Sequence, residues 1–227
     1  MKTFMRSEWP FWILLAAMFL MSAAAWSVVP DRIPVHWNAH GQIDGYGGKW
    51  EGLLLLPTIV VGLYLLMLAV PRIDPGRANY ESFKKAYWVI RLVVLAYMAV
   101  LHATILLITL GHRLEMNRIV LLSSGVLLLI LGSVLGKVRP NWFVGVRTPW
   151  TLSSKQSWTR SQRAGGWMLI TAGIVTLPAA FLPAPWNLAL FLGTLLLGTL
   201  WLVLYSYLIW RHDPERTTPS DTTPADE

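Results

Sequence analysis

Six long apolar runs dominate this sequence, and they restrict its fold more than any other feature does. The runs cover 11–29, 53–70, 87–110, 118–135, 165–182 and 187–210. A transmembrane helix needs about 20 mostly apolar residues. Soluble domains carry about 25% charged residues, whereas this chain has 14%. We therefore predict an all-α integral membrane protein, a bundle of six transmembrane helices that leaves no room for a separate soluble domain.

The distribution of positive charge predicts how this bundle is oriented. Of the 19 Lys and Arg residues, fourteen lie in segments that are cytoplasmic if the N-terminus is inside, and four lie in the opposite segments. Positive loops are retained in the cytoplasm, so the N-terminus and the C-terminus are both expected there. The net charge of +7 then reflects these loops and does not indicate direct nucleic-acid binding. The absence of Cys excludes disulfides and thiolate sites.

The chain divides into two helical halves and a polar tail. The expected parts are an N-terminal half at 1–110 with an extracytoplasmic loop at 30–52, a second half at 111–210 with a cytoplasmic loop at 136–164, and a disordered tail at 211–227. The first run has a second interpretation as a signal peptide, because 22–25 resembles a small-residue cleavage site. The run is longer than a typical signal-peptide core and continues past Ala25, which favours an uncleaved helix.

The extracytoplasmic loop combines polar side chains with five glycines. Its polar residues lie within fourteen positions of one another and are His36, Asn38, His40, Asp44 and Lys49. Glycine permits the positive φ angles that tight turns need. Three interpretations are open: a compact cap over the helix ends, a surface that binds a partner, and a Zn²⁺ site built from two His and one Asp. The spacing is not that of a strong metal motif, so neither a metal nor a cofactor is predicted.

Two ionisable residues fall inside the third run. Arg91 and His102 are eleven positions apart, which is three helical turns, so they share one face of the helix. Arg91 lies close to the cytoplasmic boundary and is expected to snorkel towards it. His102 lies deeper and is either a functional residue or a neutral His that is hydrogen-bonded between helices. No Asp or Glu is found in the middle of a run, which argues against an ion-coupled transporter.

The cytoplasmic segment 136–164 carries six Lys and Arg residues and no Asp or Glu. They are interleaved with the large aromatic residues Trp142, Phe143, Trp150 and Trp158. One interpretation is a surface helix with Trp at the lipid interface and cations against anionic headgroups. The other is a structured loop with polar side chains that hydrogen-bond into the bundle or to an anionic partner, namely Asn141, Arg147, Thr148 and Arg160. The several Pro and Gly residues of the segment favour this second interpretation.

Two stretches resemble the SdpI family of membrane immunity proteins. The first is Lys137-Val-Arg-Pro-Asn-Trp-Phe-Val-Gly-Val-Arg-Thr-Pro-Trp150, followed by Trp158-Thr-Arg-Ser-Gln-Arg163. The second, Ile33-Pro-Val-His-Trp-Asn-Ala-His-Gly-Gln-Ile-Asp-Gly-Tyr-Gly-Gly-Lys49, is similar to the short domain at the N-terminus of that family. By motif position the resemblance extends to Pro34, His36, Asn38, Gly41, Asp44, Gly45 and Lys49 outside, and to Asn141, Gly145, Arg147, Thr148, Trp158 and Arg163 inside.

This resemblance implies a small multi-pass protein of the bacterial plasma membrane that protects a cell from a secreted antimicrobial peptide toxin. It also implies a signalling role, because the family is linked to sequestering a transcriptional repressor at the membrane. Expected partners are therefore membrane lipids, the peptide toxin and a cytoplasmic repressor.

Two other functions are open. One is a small transporter or channel along the face of Arg91 and His102. The other is a lipid-processing membrane enzyme in which the basic segment grips phosphate. No nucleophile–base pair or carboxylate dyad is evident in the sequence, so a non-enzymatic role is expected.

Overall fold

The computed structural model describes the backbone of residues 2–216 and the side chains of residues 8–216. Within this range the chain forms seven α-helices: α1 (Lys2–Ala25), α2 (Leu56–Ile73), α3 (Tyr80–Thr109), α4 (Met116–Leu135), α5 (Pro149–Leu152), α6 (Lys155–Ala179) and α7 (Trp186–Arg211). Two antiparallel strands, β1 (Ile33–Trp37) and β2 (Ile43–Gly47), form a hairpin after α1. A π-helical turn, Trp50–Leu55, leads into α2. The prediction of an all-α protein is therefore wrong for the segment 30–52, which contains a β-hairpin.

Five helical segments of the described chain are long and apolar enough to cross a membrane. They are Glu8–Ala25, Trp50–Ile73, Arg77–Thr109, Met116–Leu135 and Trp186–Arg211. These helices support a membrane location. Helix α6 has 25 residues, but its first turns are polar, and it is not among the five. The apolar run expected at 165–182 is therefore the second half of a helix that begins ten residues earlier, and the count of six spans stays a prediction.

The connections between the helices gather at two opposite ends of the bundle. At one end, Asn117 at the start of α4 donates a hydrogen bond of 2.9 Å to the Ala39 carbonyl in the hairpin. At the other end, Asn79, which precedes α3, donates a bond of 2.7 Å to the Pro140 carbonyl. We call the first the hairpin end, because it carries β1 and β2. We call the second the basic end, because it carries residues 136–154.

Helix α1 is part of the packed core of the bundle. Phe11 and Met18 of α1 are fully buried, and so is Leu95 of α3. They belong to one apolar cluster that also includes Tyr64 of α2. This packing supports the interpretation of α1 as a retained helix.

Helices α4 and α6 approach each other backbone to backbone at glycines. A Cβ atom at Gly132 would lie 2.6 Å from the Gly166 carbonyl oxygen, and one at Gly166 would lie 2.8 Å from the Gly132 carbonyl oxygen. Two turns away, a Cβ at Gly173 would lie 2.8 Å from the Gly125 carbonyl oxygen. Small residues allow such contact between membrane helices. The sequence Gly132-Ser-Val-Leu-Gly136 has small residues four positions apart, a pattern that predicts close approach of another helix to α4. The structure identifies Gly166 of α6 as the partner of Gly132.

We expect Gly132→Ala to destabilise the protein, because the added methyl group has no space against α6. The loss in free energy of unfolding should be about 1–3 kcal/mol, as for other overpacked sites. The matched control is Gly62→Ala, since a Cβ at Gly62 would meet no atom within 4 Å. The midpoints of thermal unfolding in detergent, followed by circular dichroism, test this. Equal midpoints for the two variants would contradict the proposed packing.

Candidate functional site

His36 and Asp44 form a pair on the exposed surface of the hairpin. His36 Nδ1 lies 2.5 Å from Asp44 Oδ1, and the side chains are 70% and 43% exposed. Gly45 stands opposite His36 in the strand register. A Cβ at Gly45 would lie 2.8 Å from the His36 Cβ, so a side chain there would collide with His36. The hairpin therefore presents an acid and a base side by side to a ligand that approaches from solvent.

Asn38 builds the turn of the hairpin. Its Oδ1 accepts hydrogen bonds from the amides of His40, at 2.9 Å, and Gln42, at 3.0 Å. Its carbonyl accepts one from the amide of Gly41, which has a φ of 77°. Such a φ is costly for residues with a Cβ, and Asn side chains favour turns of this kind. Turn geometry therefore explains the presence of Asn38 and Gly41 in the motif.

Lys49 anchors the hairpin and takes no part in the His36–Asp44 pair. Its Nζ donates a hydrogen bond of 3.0 Å to the Trp26 carbonyl, which follows the end of α1, and lies 3.7 Å from the Asp31 carboxylate. A Lys in this position satisfies a carbonyl that the helix leaves unpaired. His36, Asp44 and Lys49 therefore do not converge on one pocket. The contact of Lys49 with the end of α1 supports the cap interpretation. Within the described side chains, no group of three His, Cys, Asp or Glu residues is placed to hold a metal.

Arg91 is buried in an ion pair with Glu8. Its Nη1 lies 3.0 Å from Oε1 and its Nη2 lies 2.5 Å from Oε2 of Glu8, and the two residues are 6% and 3% exposed. The Tyr64 hydroxyl donates to the same carboxylate at 3.0 Å, and the Phe11 ring lies 4.4 Å from the guanidinium. The expectation that Arg91 snorkels is wrong, because Glu8 of α1 provides a partner inside the bundle.

His102 is buried between α1 and α3. Its Nε2 lies 2.9 Å from Ser22 Oγ and 3.3 Å from the Met18 carbonyl oxygen. The Ser22 hydroxyl also lies 2.6 Å from the Leu53 carbonyl oxygen. The structure therefore favours a His hydrogen-bonded between helices. Ser22 and His102 have the composition of a nucleophile–base pair, but neither has exposed surface, so a substrate does not reach them.

Asn141 organises the start of the basic end. Its Oδ1 accepts hydrogen bonds from the amides of Phe143, at 2.9 Å, and Val144, at 2.6 Å. Its Nδ2 donates to the carbonyls of Arg139, at 2.8 Å, and Val144, at 2.9 Å. The side chain is buried. These bonds, all within residues 139–144, support the structured-loop interpretation for this part of the segment.

Gln162 pairs with the backbone of the same loop from α6. Its Oε1 accepts from the Val146 amide and its Nε2 donates to the Val146 carbonyl, each at 2.9 Å. The neighbouring Gly145 has a φ of 108°, and a Cβ there would lie 2.5 Å from Gln162 Oε1. Gln162 is fully buried, and the sequence analysis missed its role. The available signal was its place in the run from Trp158 to Arg163.

Trp158 and Thr148 attach the loop to the helices. The indole of Trp158 is buried and donates a hydrogen bond of 3.0 Å to the Val138 carbonyl, so Trp158 does not belong to an interfacial aromatic belt. Thr148 caps α5 through reciprocal bonds with Thr151. Its hydroxyl also lies 3.0 Å from Ser206 Oγ of α7. Both predicted residues therefore contact the bundle.

Asp74 is a second buried residue that the sequence analysis missed. Its carboxylate accepts hydrogen bonds from the Gly76 amide at 2.6 Å, the Tyr80 hydroxyl at 2.7 Å and the Trp142 amide at 3.1 Å. These three donors come from the α2–α3 connection, from α3 and from the basic end. An ionised carboxylate is a strong acceptor of hydrogen bonds. Asp74 therefore joins the α2–α3 connection to the basic end, although the two are far apart in sequence.

The beginning of the predicted disordered tail is ordered. Asp213, two residues after the end of α7, is buried and accepts a hydrogen bond from the Ser154 hydroxyl. The expectation of disorder is therefore wrong for 212–216, because the Asp213 carboxylate is hydrogen-bonded to Ser154, the residue that precedes α6. The remainder of the predicted tail, 217–227, lies outside the described residues.

The arginines of the basic end differ in their contacts. Arg147 donates a hydrogen bond to the Trp142 carbonyl of its own loop. Arg160 and Arg163 lie on α6, are exposed, and make no hydrogen bond or ion pair within the described residues. Of the two alternatives for Arg160, a bond into the bundle is not found in the described residues, because the first turns of α6 direct it outwards; a contact with an anionic partner stays a prediction.

Segments at both ends of the bundle are similar in sequence to known protein families. Residues 13–61 match a family described as a domain of unknown function, DUF1648, and residues 137–206 match the SdpI/YfhL protein family. Immunity protein SdpI of Bacillus subtilis (strain 168) is 24% identical over 182 residues, which are 79% of this chain and 84% of that protein. No solved structure matches the chain. The first range includes the hairpin and the second includes most of the basic end, so the resemblance drawn from the two motifs is confirmed.

We expect Glu8→Gln to destabilise the bundle, because it leaves the buried charge of Arg91 without a counter-charge. Breaking one side of a buried ion pair costs about 3–5 kcal/mol. Adding Arg91→Met to the same chain removes the stranded charge and should recover much of the loss. Unfolding in detergent measures both variants. A double variant no more stable than Glu8→Gln would contradict this interpretation.

We expect Asp74→Asn to loosen the basic end, because an amide has one acceptor oxygen where the carboxylate has two. Losing bonds to a buried charged group costs about 1.5–3 kcal/mol, so trypsin should cleave after Lys137 and Arg147 roughly tenfold faster or more. The control is Glu81→Gln, which removes an exposed carboxylate paired with Lys84. Equal cleavage of the two variants would count against a tethering role for Asp74.

Proposed function

This chain belongs to the SdpI family, and from that premise we propose that it protects its cell from a secreted peptide toxin that acts on the membrane. The alignment with Immunity protein SdpI covers most of both chains, which supports a shared role. The proposal is for a non-catalytic protein that works by binding the toxin or by blocking its insertion.

The hairpin is the proposed contact with the toxin, and the observation that carries this is the exposed His36–Asp44 pair. Its neighbours Val35, Ile43 and Tyr46 are large apolar residues that are also exposed. A polar pair beside apolar side chains suits a peptide that must itself be amphipathic to act on a bilayer. Lys49 ties the hairpin to the end of α1, so the proposed contact surface is anchored to the bundle.

The proposed topology places the hairpin outside the cell and both termini in the cytoplasm of a bacterial plasma membrane. The excess of Lys and Arg in the segments of the basic end supports this orientation. In this topology α6 is the sixth crossing, and its polar first turns are shielded by the loop 136–148. The orientation brings a secreted toxin to the hairpin and not to the basic end.

The basic end is the proposed signalling element, where a cytoplasmic repressor would be held. Lys137 and Arg139 are exposed there and make no side-chain hydrogen bond or ion pair with the described residues, which supports a role in binding an acidic surface. The transporter alternative has less support, because Arg91 and His102 are both buried and both bond to side chains of α1. They therefore do not form part of a continuous polar path.

We expect His36→Ala and Asp44→Ala to abolish protection, because each removes half of the pair while leaving the fold in place. Survival of toxin-challenged cells that carry each variant measures this, with membrane insertion checked by immunoblot of the membrane fraction. The matched control is Asp31→Ala, since Asp31 is a carboxylate at the same end with a side chain 97% exposed. Survival of cells with Asp44→Ala equal to that of cells with Asp31→Ala would overturn the assignment of the hairpin.

A further inference from the structure

A groove runs between α6 and α7 from the basic end towards the middle of the bundle. Its volume is about 610 Å³, and its lining extends on α6 from Arg160 to Thr171 and on α7 from Tyr205 back to Thr194. Each stretch spans eleven positions, or about 16 Å at the rise of an α-helix. The hydrocarbon core of a bilayer is about 30 Å thick. The groove therefore has the depth of one leaflet.

Two cations without partners stand at the mouth of the groove. Arg160 and Arg163 both line it and are exposed. Neither makes an ion pair or a hydrogen bond in the described part of the chain. The segment 136–164, which includes both arginines, contains no Asp or Glu. The mouth therefore attracts an anion.

The walls below the mouth are aromatic and apolar. Trp167 of α6 and Trp201 of α7 line the groove and are exposed, and the ring of Tyr205 stacks on Trp201 at 5.2 Å. Gly198 lets α6 and α7 lie close together at one point of the groove, because a Cβ there would lie 2.8 Å from Met168 Cγ. Trp and Tyr rings are typical of the boundary between headgroups and hydrocarbon. The groove is thus cationic at its mouth and apolar along its length.

We propose that this groove binds one anionic phospholipid, with its phosphate between Arg160 and Arg163 and one acyl chain along α6 and α7. Guanidinium groups bind phosphate oxygens with two parallel hydrogen bonds, and the apolar walls accept a chain as long as one leaflet. A zwitterionic lipid matches the charge at the mouth less well, and a free phosphate leaves the walls empty. The site is independent of the toxin-binding role of the hairpin.

Native mass spectrometry of the purified full chain tests this, with phosphatidylglycerol and phosphatidylcholine supplied at equal concentration. The wild-type protein should retain one phosphatidylglycerol in preference to phosphatidylcholine. Arg160→Gln with Arg163→Gln should weaken that retention roughly tenfold or more, since each cation near a membrane surface contributes substantially to binding an anionic lipid. The matched control, Lys137→Gln with Arg139→Gln, removes the same charge from the basic end outside the groove and should retain the lipid.

A second variant tests the chain-binding part of the site without altering charge. Thr194→Trp enlarges a side chain that lines the groove on α7, so it should lower phosphatidylglycerol retention although both arginines remain. Thermal unfolding of each variant shows whether it is folded. Equal lipid loss in the control pair, no loss in the Arg160/Arg163 pair, or displacement of the lipid by inorganic phosphate at equal concentration would each overturn the proposal.

Discussion

The close approach of α4 and α6 at Gly132 and Gly166 is the contact on which the basic end depends. It brings the polar first turns of α6 against the loop that leaves α4. Gln162 then reaches the backbone of Val146, and Trp158 reaches the Val138 carbonyl. Larger side chains at the glycines would separate the helices and leave these buried polar groups without partners, which is costly. Packing and polar pairing at this end therefore support each other.

A different pair of contacts holds α1 against α3. Arg91 meets Glu8, and eleven residues further along α3 His102 meets Ser22. Because the two contacts lie at different depths, they set both the rotation and the register of α1. Polar groups buried among membrane helices are expensive unless they are paired, and here each ionised or hydroxyl group finds a partner on the neighbouring helix. In the structure these contacts connect α1 to α3.

The two ends use their polar residues in different ways. At the hairpin end, Asn38 and Lys49 shape and anchor the strands, and the His36–Asp44 pair stays open to solvent. At the basic end, most polar side chains bind the loop backbone, and the exposed groups left over are cations. One end is thus suited to recognise a ligand from outside the bilayer, whereas the other is suited to anionic groups at the membrane surface or in the cytoplasm.

The sequence by itself determined the helical membrane class, the family, and the two segments that carry the polar residues, because apolar run length and local motifs are properties of neighbouring residues. It also indicated that Asn141 and Thr148 bond within the protein. Only the tertiary structure identified the roles of Glu8, Asp74, Gln162 and Asp213, since each is satisfied by a partner from a distant part of the chain. The hairpin was missed for a related reason: its short strands are stabilised by cross-strand pairing and by anchoring to helix ends, and neither leaves a strong local pattern. A sequence shows which polar residues need partners, but only packing decides which partners lie within reach.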